Sequence, residues 1–143
     1  MYGPRSGKNN WLYRALKEAL TDKKITRFGD GEEIREYIHV EDAARLSTEV
    51  LSKDYENECV ILSGYQQIKI KDLLFMIREM LDNKIEIIYK KVHSTSSALN
   101  PRGHYEITPY SFKPRIAKKI ISSHYLDLGQ GILSALNDLH REL

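Results

Sequence analysis

The amino-acid sequence predicts a mixed α/β (α+β) domain, and three observations carry that reading. Amphipathic stretches with apolar residues at helical spacing recur along the chain. Short runs of β-branched and aromatic residues lie between them. The two kinds of stretch do not alternate in a regular strand–helix–strand rhythm. Small strands with about four to five helices are therefore expected, rather than one large parallel sheet.

Length and composition set the frame. A chain of 143 residues is long enough for one domain with its own core. Its 41% hydrophobic and 29% charged residues exclude intrinsic disorder and a disulfide-stapled miniprotein. The lone Cys59 forms no intrachain disulfide and anchors no multi-thiolate zinc site. No apolar run approaches the length of a membrane span. The opening Met1-Tyr2-Gly3-Pro4-Arg5 lacks the apolar core of a secretory signal, so a cytoplasmic protein is expected.

Each element has a local reason. Asn10 opens a helix whose Leu12, Leu16, Ala19 and Leu20 share a face, ending near Thr21-Asp22. Ile25 to Phe28 reads as a short strand, closed by the Gly29-Asp30-Gly31 turn, whose residues tolerate positive φ. Ile34, Tyr37, Ile38 and Val40 make Arg35–Val40 a second extended run. Asp42 caps or begins a second helix, with Ala43, Leu46, Ser47 and Val50 on one face. Glu58 to Leu62 is a near-continuous apolar run and reads as a strand buried on both faces. Ile68 and Ile70 form a short extended piece. Leu73, Leu74, Ile77, Met80 and Leu81 give a third helix, with Asp72 complementing the dipole in its first turn. Ile85, Ile87, Ile88 and Tyr89 make a further strand, and residues 93–103 a long polar loop. Pro114 is expected to start a short helix containing Ile116, Ala117 and Ile120. Gly129 and Gly131 are expected to precede a last helix bearing Ile132, Leu136, Leu139 and Leu143.

Charge is informative only locally. Net charge is +2, from 22 basic and 20 acidic side chains. Between Lys90 and Lys119 seven basic residues face the single acid Glu106. That stretch reads as a solvated face or as an attractor of an anion such as phosphate. A nucleic-acid role would need a recognition motif, and none is present. The sequence has no Gly-x-Gly-x-x-Gly after a strand and no Gly-Lys-Ser/Thr phosphate loop. His93, His104 and His124 are scattered without metal-ligand spacing, so no metal is expected. Tyr13-Arg14-Ala15-Leu16-Lys17 matches the Tyr-x-x-x-Lys of short-chain dehydrogenases. With nine tyrosines and no cofactor motif before it, the match reads as chance, and no catalytic residue is assigned.

A linked set of motifs is more specific. Tyr2-Gly3-Pro4-Arg5, Asn10, Phe28-Gly29-Asp30-Gly31, and Ile34-Arg35-Glu36-Tyr37-Ile38-His39-Val40-Glu41-Asp42-Ala43-Ala44 follow one another in order. The set resembles extended short-chain dehydrogenases acting on nucleoside-diphosphate sugars, the NAD-dependent epimerases, 4,6-dehydratases and decarboxylases. Val60–Gly64, Ile68–Leu81, Arg102-Gly103-His104 and Gly131-Ile132 extend the resemblance more loosely. Only the first third of the chain is specific. The resemblance implies the C-terminal half of an extended Rossmann-type epimerase. Residues 1–143 would then be a sugar-nucleotide-binding domain, with the NAD-binding N-terminal half absent.

The resemblance also implies roles. Arg35 would bind the substrate diphosphate, and the planar, permanently charged guanidinium suits phosphate oxygens. The competing reading is an ion pair with Glu33 or Glu36. Thr26 and Phe28 would hold the nucleotide base, Phe28 by stacking; core packing is the rival for Phe28. Asn10, Trp11 and Leu12 would close over the nucleotide, although Asn10 is equally an N-cap. Arg102 is a second phosphate or ribose candidate. His39, Tyr37 and Asp42 read as structural, His39 on a strand. The implied partner is a UDP- or dTDP-linked sugar, with no nucleic acid and no membrane. The implied cofactor is NAD or NADP in the full-length parent and none in this chain alone. The parent would be an isomerase or lyase, and this chain alone inactive. The alternative is a non-catalytic remnant that self-associates, as a homo-oligomer or swapped dimer, through an unpaired strand edge.

Overall fold

The computed structural model describes residues 1–91 and 117–143. Helix α1 (Trp11–Asp22) starts where expected: the Asn10 side chain accepts a hydrogen bond from the Tyr13 amide at 3.2 Å. It ends at Lys23, whose left-handed φ of 55° turns the chain directly into β1 (Lys24–Phe28). The turn that follows uses Gly29 and Gly31 at φ 93° and 75°. It delivers β2 (Ile34–Glu36), and the Gly31 carbonyl accepts from the Lys71 amide at 2.9 Å.

Next come α2 (Val40–Glu49), a 3-10 turn (Lys53–Tyr55), β3 (Val60–Leu62) and β4 (Gln67–Lys69). Then follow α3 (Ile70–Met80), β5 (Glu86–Lys90), β6 (Lys118–Ile120) and α4 (Leu128–Glu142). Among the described residues the strands form three two-stranded ribbons. β1 and β5 are parallel, with Ile25 opposite Ile87 and Phe28 opposite Lys90. β2 and β4 are antiparallel, with Arg35 opposite Ile68. β3 and β6 are parallel, with Leu62 opposite Ile120. The mixed α/β class, and the four α-helices among the described residues, agree with the sequence reading.

One core joins these pieces. Leu12, Ala15, Leu16 and Ala19 of α1, which packs on β1 and α4, share it with Leu73, Leu74 and Ile77 of α3. Ile132, Ala135, Leu136 and Leu139 of α4 and Ile25 of β1 complete it. Each such large side chain contributes about 1.5–3 kcal/mol by leaving water. The Tyr13 and Lys17 pair of the chance motif sits half-buried on α1, Tyr13 packed against this core. The N-terminal segment is tied to the junction before α2. The Tyr2 amide donates to the Ile38 carbonyl at 3.0 Å, and the Val40 amide donates to the Tyr2 carbonyl at 2.8 Å.

Several local expectations are corrected. His39 does not continue a strand; its Nδ1 accepts from the Glu41 amide and caps α2. Asp42 therefore lies inside the helix, where its carboxylate accepts from the Leu126 amide at 2.9 Å. Ile70 begins α3 rather than extending a strand. Residues 118–120 form β6, because β3 supplies a parallel partner that outweighs helical spacing. Gly129 and Gly131 lie within α4, which Asp127 caps by accepting from the amides of Gly129 and Gln130. Strand β3 is only half-buried, and Cys59 is exposed.

Candidate functional site

Two basic residues flanking the Gly29–Gly31 turn meet in one cleft. An open cleft of about 220 Å³ is lined by Met1, Asn10, Trp11, Leu12, Arg27, Arg35, Tyr37 and Ile70. It lies where the start of α1 faces β1, β2 and the start of α3. Of the residues singled out in the sequence, Arg35, Asn10, Trp11 and Leu12 are brought together here.

Each is positioned by a nameable contact. Arg35 lies on β2 opposite Ile68, and its Nη1 donates to the Ile34 carbonyl at 2.9 Å. The two carboxylates named as its rivals hold other cations: Glu33 pairs with Arg27, and Glu36 with Lys119. Asn10 uses both ends of its amide, capping α1 and donating from Nδ2 to the Met1 carbonyl at 2.9 Å. Leu12 is at once part of the cleft wall and part of the core. The Trp11 ring carries the Arg27 guanidinium 4.9 Å above its centroid.

Thr26 and Phe28 are not among the lining residues. Strand alternation puts them on one face of β1 and Arg27 on the other. The Thr26 amide and hydroxyl both donate to the Glu18 carboxylate of α1, at 3.2 and 2.9 Å. Phe28 is 59% exposed, which rules out core packing as its role. Arg102 and the rest of the polar loop at 93–103 lie outside the described residues.

Four lining residues, Met1, Arg27, Tyr37 and Ile70, escaped the sequence reading, and two of them carry polar side chains. Arg27 gave no motif signal; the period-2 alternation of β1 is what sets it opposite Thr26 and Phe28. Tyr37 reads as structural in the sequence, yet it lines the cleft as well as packing against the core. Burial pushes its phenol above the ordinary tyrosine range, while the positive charges of Arg35 and Arg27 pull it back. Both guanidinium groups therefore act on the same small volume. Among the described residues, no three His, Cys, Asp or Glu side chains converge as a metal site would require. No helix among them is long and apolar enough to cross a membrane.

Comparison with known proteins bears on the family and the fold. Residues 1–61 match the model of the NAD-dependent epimerase/dehydratase family. The resemblance read from the residues and this match converge on that family. Among curated relatives, an uncharacterised UDP-glucose epimerase, YtcB, from Bacillus subtilis is 28% identical over 85 residues. The match takes in 59% of this chain and 27% of that protein. A dTDP-glucose 4,6-dehydratase from Escherichia coli is 31% identical over 84 residues, 59% of this chain and 23% of its own length. Among solved structures, UDP-glucuronic acid 4-epimerase from Bacillus cereus superposes with a TM-score of 0.77 at 22% identity. That superposition covers 99% of this chain and 43% of the epimerase. The fold is thus that of a Rossmann-type epimerase over a little less than half its length. The chain spans about a quarter of the length of the curated relatives it matches.

Proposed function

We propose that this chain is the sugar-nucleotide-binding portion of an NAD-dependent epimerase or dehydratase, with Arg35 anchoring the substrate diphosphate. The observation that supports this reading is the sharing of one cleft by Arg35 and the Asn10–Leu12 segment. A guanidinium beside the first turn of α1 offers a fork for phosphate oxygens. The Trp11 ring and the buried Leu12 give the cleft an apolar wall for the rest of the ligand. Binding energy collected there, remote from the reacting sugar carbon, would orient that carbon. In the whole enzyme NAD would supply transient hydride transfer. The sequence has no Gly-rich strand-to-helix loop to cradle it, so no step through the cofactor is assigned to these residues. Alone, the chain would bind ligand without turning it over.

Titration calorimetry with UDP, dTDP and NAD tests the reading. UDP or dTDP is expected to bind, and Arg35→Met to weaken it about tenfold, as loss of a charge-assisted hydrogen bond would. Micromolar affinity for NAD, or indifference of UDP and dTDP to Arg35→Met, would overturn it. A second reading, a self-associating module, is favoured by β3, which among the described residues pairs on one side only, with β6. Light scattering showing a monomer at high concentration would remove it.

A further inference from the structure

We infer that Arg27 is a second anion-binding group of the cleft, a directed donor that acts with Arg35 on a diphosphate and favours diphosphates over monophosphates. The inference rests on the reading of the cleft as a nucleoside-diphosphate site.

Arg27 is unusually constrained for a side chain that reaches a cleft. One face of its guanidinium lies over Trp11. Its Nη2 is paired with Glu33, whose side chain is only 1% exposed. Glu33 is itself anchored, its carbonyl accepting from the Ile70 amide at 3.1 Å at the start of α3. The Arg27 Nε is buried without a partner. Nη1 is neither buried nor hydrogen-bonded among the described residues, so it is the donor end left to the cleft.

The ion pair has no obvious structural purpose. A buried pair seldom stabilises more than a well-packed apolar pair of the same volume would. Fixing a guanidinium at the cleft wall is a purpose that an apolar pair could not serve. A diphosphate carries two phosphoryl groups: the Arg35 guanidinium can address one and Nη1 of Arg27 the other. Glu33 cancels the charge of Arg27, so the advantage is directional rather than a matter of net field. That separates Arg27 from Arg35 experimentally.

The experiment is calorimetry on the full chain with inorganic pyrophosphate, UDP and UMP. Arg27→Met alone strands a buried carboxylate and is expected to destabilise the fold, so Arg27→Met with Glu33→Met carries the test. The double variant keeps the net charge of the cleft and removes only the directed donor; circular dichroism checks its fold. Pyrophosphate and UDP affinity should fall about tenfold, the scale of one charge-assisted hydrogen bond. UMP affinity should change less than about threefold. Unchanged pyrophosphate and UDP affinity in the double variant, with loss in Arg35→Met, overturns the role of Arg27 and leaves the nucleotide reading standing. Pyrophosphate binding that depends on Arg27 without any UDP binding leaves Arg27 standing and overturns the nucleotide reading. No binding of either by the wild-type chain overturns both.

Discussion

Tyr37 borders two hollows of opposite character. On one side lies the cleft of about 220 Å³, walled by Trp11, Arg27 and Arg35. On the other lies a smaller hollow of about 20 Å³, lined by Tyr2, His39, Asp42, Gly64, Tyr65, Tyr125 and their neighbours. The charged groups of the cleft are the cations Arg27, held by Glu33 and the Trp11 ring, and Arg35, which donates to the Ile34 carbonyl. The polar groups of the smaller hollow are held by backbone amides, donating to His39 Nδ1 and Asp42, and by packing, with the Tyr2 hydroxyl and His39 Nε2 buried without a hydrogen-bond partner. Glycines make that packing possible. A Cβ on Gly131 would lie 2.3 Å from the Tyr2 hydroxyl, and one on Gly64 would lie 1.8 Å from the Tyr37 carbonyl oxygen. The contrast is between an open cleft that carries two guanidinium groups and a packed junction that ties the N-terminal segment to α2 and α4.

Substitution at Gly64 gives the largest expected effect. Gly64→Ala forces a methyl into a backbone carbonyl that cannot swing aside as a side chain would. A loss of about 4 kcal/mol or more is expected, because overlap with backbone belongs to the rare severe class of substitutions. Arg35→Met, across Tyr37, should cost no more than about 1–2 kcal/mol, the range for a half-buried side chain that gives up a hydrogen bond without backbone overlap. Urea denaturation compares them directly. Equal midpoints for the two variants would erase the distinction between the two sides.

Alkali tests the same division with a smaller effect. Burial raises the phenols of both Tyr2 and Tyr37 above the ordinary value near 10. Nearby Asp42 and Asp127 push Tyr2 further. A raised folded value means the unfolded chain releases its proton first. The contribution is therefore fully present below pH 10 and is lost as pH rises toward the folded values. The limiting loss is at most about 1.4 kcal/mol per pH unit for each tyrosine. Absorbance titration should show these two phenols ionising only as the protein unfolds. Tyr37→Phe should flatten the decline above pH 10. An unchanged decline would place Tyr37 in a wetter setting than its burial indicates.

The sequence carried most of the elements and only part of the site, for reasons that individual residues make plain. The start of α1 was legible because the Asn10 cap and the apolar face at Leu12, Leu16 and Ala19 are local signals. The start of α2 was not, because a histidine serving as N-cap through Nδ1 looks like one more residue in the run from Ile34 to Val40. Strand β6 was misread because its identity comes from β3, far away in sequence. Gly131 looked like a helix boundary, whereas it is a contact surface for Tyr2. At the site, the linked motifs pointed to Arg35 and to Asn10–Leu12, and the fold gathers these. Arg27 carries no motif, and its relation to Trp11 and Glu33 exists only after folding.

The smallest expected effect concerns two glutamates adjacent in sequence. Glu33 is buried against Arg27, whereas Glu32 is exposed and pairs with Lys69 at 2.9 Å and also with Lys71. Hydrogen bonds from Lys71 and Lys69 hold the Glu32 carboxyl below its ordinary value near 4.5. Lowered in the folded chain, it contributes stability above that ordinary value and loses it as pH falls through the folded one. Water and salt screen an exposed cluster of this kind, so the contribution is slight. Glu32→Gln should melt with the wild-type chain at high salt and only marginally below it at low salt near neutral pH. The low-salt gap should close in acid, where the wild-type carboxyl is itself protonated. A large gap that persists at high salt would mean that the surface turn, and not only the cleft wall behind it, holds β2 against α3.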